Sequence, residues 1–95
     1  MTIPHLNQIG ITTDHRAVIG GLFEMRDTHG LPLEVLLKWC QDQNSVPDWL
    51  ELWGKAGAAG YNMAAFRTRI SEACGDVYGP EVRAHIMKRL DNATM

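Results

Sequence analysis

Gly30 and Pro32 stand two residues apart in the stretch FEMRDTHGLPLEVLLKWC, residues 23–40, and they limit what the chain can do there. Glycine reaches the left-handed backbone that ends a helix without a Cβ clash. Proline in the first helical turn loses no hydrogen bond, because that N–H has no intrahelical partner anyway. Apolar residues run up to the glycine at helical spacing: Val18, Ile19, Leu22, Phe23 and Met25. They resume after the proline as Leu33, Leu36, Leu37 and Cys40, widened by Val35 and Trp39. The stretch reads as a helix ending, a corner and a helix beginning.

The same punctuation recurs along the chain. Residues 14–28 are predicted as a first helix, capped by Thr12, Thr13 or Asp14, with Gly20 and Gly21 at a close backbone approach or a kink. Residues 32–43 make the second helix, with Asn44 able to end it. Residues 47–58 make the third, with Ser45 and Asp48 resembling a capping box and Gly60 closing it. The fourth starts after Asn62 and stops at Gly75; its face is Met63, Phe66, Ile70, Ala73 and Cys74. The fifth starts at Pro80 with Val82, Ile86 and Leu90 inward, and a tail from Asp91 to Met95 frays. Strand signals are thin. The expected fold class is all-α: a compact bundle of about five short helices, with residues 1–12 as an N-terminal arm and 13–95 as one helical domain.

Ninety-five residues with 45% hydrophobic and 21% charged content are ordinary globular usage. No apolar run approaches the roughly 18 residues that span a membrane, and the first ten residues lack the basic and apolar regions of a secretory signal. Two cysteines, Cys40 and Cys74, are too few for a small secreted scaffold, which implies free buried thiols and a cytoplasmic setting. Residues 1–62 carry four basic against seven acidic side chains, net −3, and residues 63–95 carry five against four, net +1. That tilt falls far short of a dedicated DNA-binding domain.

Residues 23–34, FEMRDTHGLPLE, resemble a segment of alanyl-tRNA synthetases with the pattern Phe-x-Leu-x-Asp-Thr-Tyr-Gly-Phe-Pro-Leu-Asp. Phe23, Asp27, Thr28, Gly30, Pro32 and Leu33 match directly, and His29 replaces Tyr. The resemblance covers 12 of 95 residues. It implies a helical hairpin and an association with the acceptor end of tRNA. The catalytic domain of that family and the His/Cys motif of its editing domain have no counterpart here.

Five groups are candidates for function. Asp27-Thr28-His29 pairs a carboxylate with an imidazole, but no nucleophile or second carboxylate is tied to it, so a helix-end role is favoured over acid–base work. Trp39, Trp49 and Trp53 lie within fifteen residues, and with Leu52 they crowd more than one helix face. That crowding predicts a partly exposed, acid-flanked patch that binds a protein. Residues 32–58 have helix-turn-helix spacing, but PDWLELWGKAG lacks the donors of a groove-reading helix. Arg67, Arg69, Arg83, Lys88 and Arg89, with His85 beside them, offer phosphate contacts if the last two helices lie side by side. His5, His15, His29, His85 and the two cysteines show no metal-ligand spacing.

These readings predict a small helical interaction protein, without a cofactor, metal or catalytic residue, that modulates or inhibits a protein partner by occlusion or bridging. Bacterial and phage accessory proteins, including inhibitors of host defence, are of this type by analogy of size. A nucleic-acid-binding regulator using the five basic residues is the alternative. A homo-oligomer tied together by the arm is the third.

Overall fold

The computed structural model describes residues 6–93, so His5 and the first part of the arm, with Thr94 and Met95, lie outside the described residues. The elements run β1 (Asn7–Ile11), β2 (Ala17–Gly20), α1 (Leu22–Asp27), α2 (Leu33–Asp42), β3 (Ser45–Pro47), α3 (Trp49–Ala58), α4 (Met63–Tyr78) and α5 (Pro80–Ala93). Five helices are present, as the sequence implies, and a three-stranded sheet in the order β1-β2-β3 accompanies them. The all-α expectation is corrected to a helical fold with a small mixed sheet. β1 pairs antiparallel with β2, and β2 pairs parallel with β3 through Val18 and Val46.

The error lies in residues 14–21. Val18 and Ile19 fit a helical stripe, but they are β-branched and extend readily against a partner strand. A five-residue hairpin loop, Thr12 to Arg16, precedes β2. Thr12 N–H donates to the Arg16 carbonyl at 2.8 Å, and His15 takes left-handed φ of 64°. Ile9 is the extra residue in β1, where the register slips between Gln8 and Gly10.

Gly20 and Gly21 end β2 rather than sitting mid-helix. A Cβ on Gly20 would come within 3.0 Å of Glu51 Oε2 and 3.2 Å of Ile9 Cγ2. Gly21 caps α1 at φ 92°, and its N–H donates to Glu51 Oε1 at 2.8 Å. Helix α3 thus supplies the acceptor that the short α1 lacks locally.

The other boundaries follow their local signals. Gly30 has φ of 70°, Asn44 φ of 51° and Gly60 φ of 85°. Asn62 accepts from Ala65 N–H at 3.1 Å. Asp48 caps α3 by accepting from Glu51 N–H, whereas Ser45, read as a capping residue, turns its hydroxyl to the Cys40 carbonyl at 3.0 Å. Helix α4 passes through Gly75 and stops at Gly79, whose φ is 92°. Gly75 instead makes room for Arg83, whose Nη1 would lie 3.4 Å from an added Cβ. Helix α5 continues through Asp91, which Arg67 grips with two hydrogen bonds of 2.7 and 2.8 Å.

The core forms around α2. Leu33, Leu36, Leu37 and Cys40 are fully buried, and so are Ile70, Ala73 and Cys74 of α4 and Leu90 of α5. Burying each large aliphatic side chain contributes about 1.5–3 kcal/mol. Trp53 stacks on Phe66 with ring centroids 6.1 Å apart.

Candidate functional site

The expected exposure of the tryptophan group holds only for Trp39. Trp49, Leu52 and Trp53 are 5%, 1% and 9% exposed and belong to the core. Helix α3 packs on both α1 and α5, so it presents apolar side chains to two neighbours. A helix covered on two sides carries a wide apolar face without presenting it to solvent. Leu50 is the large apolar residue of this helix left outward, 47% exposed.

Trp39 is half-buried at a cleft between the outer face of α2 and the C-terminal part of α4. The cleft holds about 640 Å³ and is lined also by Val35 and Val77. Glu34, Asp42 and Asp76 rim it against a single lysine, Lys38. Lys38 pairs with Asp42 at 3.2 Å, one helical turn on. Glu34 binds Arg69 from below, with contacts of 2.5 and 2.6 Å that join α2 to α4. The Arg69 guanidinium holds the Glu34 carboxyl below the usual carboxylate range.

The five basic residues do not form one face. Arg67 is held by Asp91 and Arg69 by Glu34. Arg83 lies beside Glu72 and Asp76. Lys88 is exposed, and Arg89 turns into a second groove on the other flank of α2. That groove holds about 600 Å³ between β3 and the Val82–His85–Ile86–Arg89 face of α5, with Tyr78 and Trp49 also lining it. Arg16, from the hairpin, stands on its rim, and no carboxylate lines it. Gln41 borders both grooves, and its amide donates to the Val77 carbonyl at 3.3 Å. Sequence reasoning missed Arg16 and Asn44 here, whereas His85 and Arg89 were already read as part of the basic face of the last helix. The spacing of residues 82, 85, 86 and 89 marks one helical face, but nothing local says that β3 lies opposite it.

Asp27-Thr28-His29 ends α1 as expected, and its chemistry is bound up in packing. Tyr61 donates its hydroxyl to Asp27 Oδ1 at 2.5 Å. Burial, reinforced by Asp27, pushes the Tyr61 phenol up. Arg26 covers the Phe66 ring at 5.3 Å and the Tyr61 ring at 5.7 Å. Burial likewise raises the two thiols, Cys40 to about 11 and Cys74 to about 12, so neither is a thiolate near neutrality. Among the described residues, no three His, Cys, Asp or Glu side chains come together as a metal site. No described helix is long and apolar enough to cross a membrane.

Strand β1 is one of the two edge strands of the sheet among the described residues, β3 being the other. Ile9 and Ile11 are 47% and 65% exposed there. NQIGI carries no lysine, proline or other blocking residue, and the slip at Ile9 is its one irregular feature.

No protein-family model, curated protein or solved structure matches this chain, so the resemblance of residues 23–34 to alanyl-tRNA synthetases rests on those residues alone.

Proposed function

We propose that this protein is a non-catalytic interaction module that binds a protein partner in the α2–α4 cleft and acts by occlusion or bridging. The observation that supports it is the setting of Trp39. It is the one tryptophan of the three that reaches the surface, beside Val35, which is 42% exposed. Tryptophan is enriched among the residues that carry interface energy, because it buries a large rigid surface at low entropic cost. The three carboxylates at the rim favour a partner segment with an apolar anchor flanked by Lys or Arg. A small domain seated on such a segment blocks it for other partners, which is the simplest route to inhibition.

The test is affinity capture of a partner by wild type, Trp39→Ala and Val35→Glu, with circular dichroism on each. Both variants keep the helical spectrum and lose the partner. Capture unchanged in both would sink the reading.

A second reading is favoured by β1. Two copies joined edge to edge along Asn7–Ile11 would pair the open strand and cover Ile9 and Ile11. Sedimentation then gives a mass that rises with concentration, and Ile11→Lys restores the monomer. A constant monomer mass for wild type excludes it. The nucleic-acid reading draws less support, since Arg67 and Arg69 already spend their charge on Asp91 and Glu34.

A further inference from the structure

We infer that the groove between β3 and α5 is a binding site for a small phosphate monoester, gripped by Arg16, His85 and Arg89. Charge is the first argument. Two arginines and a histidine line the groove, together with neutral side chains and no acid, in a chain whose formal net charge is −2. Unlike charges usually intersperse on a solvated face, so a groove whose lining holds basic side chains and no carboxylate favours an anion, with Asp14 reaching only the Nε of Arg16.

Which basic side chains are already engaged is the second argument. Arg67 and Arg69 are spent on carboxylates, and Arg26 covers two rings. The side chains of Arg89 and His85 make no ion pair, hydrogen bond or ring contact among the described residues. Arg16 gives its Nε to Asp14 at 2.9 Å, which leaves the two terminal nitrogens of its fork.

The third argument is the shape of the donor set. His85 and Arg89 lie one turn apart on α5, Arg16 approaches from the hairpin, and Asn44 borders the β3 side. Tyr78 adds a hydroxyl with no hydrogen bond among the described residues. Burial, reinforced by the neighbouring Cys40 and Cys74 thiols, pushes that phenol up, so it is a neutral donor. One arginine fork satisfies a carboxylate in a plane. Donors from several sides suit the three outer oxygens of a phosphate monoester instead. Val46, Pro47, Val82 and Ile86 offer an apolar bed for the body of the ligand. The volume of about 600 Å³ lies within the usual range for small-molecule sites.

The test is titration calorimetry on the full chain with adenosine monophosphate, inorganic phosphate, adenosine and acetate, repeated with Arg89→Gln and Arg16→Gln. Adenosine monophosphate binds, adenosine and acetate bind at least about tenfold more weakly, and each variant loses about tenfold, as expected when a charge-assisted hydrogen bond is removed. Inorganic phosphate as tight as the nucleotide assigns the grip to the phosphate head alone; weaker inorganic phosphate adds the apolar bed. Both side chains are exposed, and circular dichroism confirms that the variants fold. The inference is overturned by no heat from adenosine monophosphate or phosphate at millimolar concentration. It is equally overturned by acetate binding as tightly as phosphate, by variants that bind as wild type does, or by a single-stranded oligonucleotide without terminal phosphate that binds tighter than the nucleotide.

Discussion

The two grooves that meet at Gln41 have nearly the same size and opposite character. The α2–α4 cleft sets Trp39 among three carboxylates and one lysine. The β3–α5 groove sets Tyr78 and the edge of Trp49 among two arginines and a histidine with no acid. Helix α2 lends Glu34 and Asp42 to the cleft and only Gln41 to the groove. The second wall adds to the difference: Asp76 of α4 on one side, His85 and Arg89 of α5 on the other. A net charge of −2 conceals this division entirely.

The comparison breaks most severely at the buried wall of the β3–α5 groove. Trp49→Ala removes a buried side chain packed against the β3–α5 groove, and costs about 3–5 kcal/mol in denaturant unfolding. Trp39→Ala, at the half-buried cleft, costs less than half of that. Equal losses would show that both tryptophans are core, and would remove Trp39 as a surface anchor.

Acid sharpens the comparison at the rim of the cleft. Arg69 lowers the Glu34 carboxyl in the folded state relative to its ordinary value of 4.5. A depressed carboxylate contributes stability above its unfolded value and loses it as pH falls through the folded one. Wild type therefore loses stability more steeply below about pH 4.5 than Glu34→Gln does. Parallel pH profiles would show that the Glu34–Arg69 pair does not couple α2 to α4 energetically. The loss is modest, since both side chains are about one-third exposed.

The smallest effect belongs to the hairpin that carries Arg16. His15 holds a left-handed φ of 64° without being glycine. His15→Gly relieves that clash and loses some of the gain to the flexibility of the unfolded chain, leaving about 0.5 kcal/mol of stabilisation. A stability gain with unchanged phosphate affinity separates the geometry of the loop from the charge of Arg16. A loss of stability would mean that the His15 side chain, not its backbone, holds the turn.

Legibility followed the range of the interactions involved. The corner at Gly30-Leu31-Pro32, the Asn62 cap, the Asn44 stop and the Pro80 start were readable, because a backbone dihedral or a bond within one turn decides each of them. Residues 17–20 were misread because their apolar spacing suits both a helix and a strand, and the choice was made by β3, far along the chain. Gly75 was misread as a stop because the side chain it accommodates, Arg83, belongs to the next helix. The breadth of the apolar face on α3 was correctly seen and wrongly assigned to the surface, since α1 and α5 cover it on two sides.

The sequence by itself determined five helices, most of their ends, and a core running through α2 and α4. Those follow from glycine and proline stereochemistry, capping side chains and apolar periodicity, all of them local. Tertiary structure alone decided that Trp39 faces outward while Trp49 and Trp53 face inward, that Gly20-Gly21 ends a strand held by Glu51, and that Arg16 joins His85 and Arg89 around one groove. Each of those depends on residues about thirty or more positions apart, whose meeting is set by how the helices and the sheet pack together.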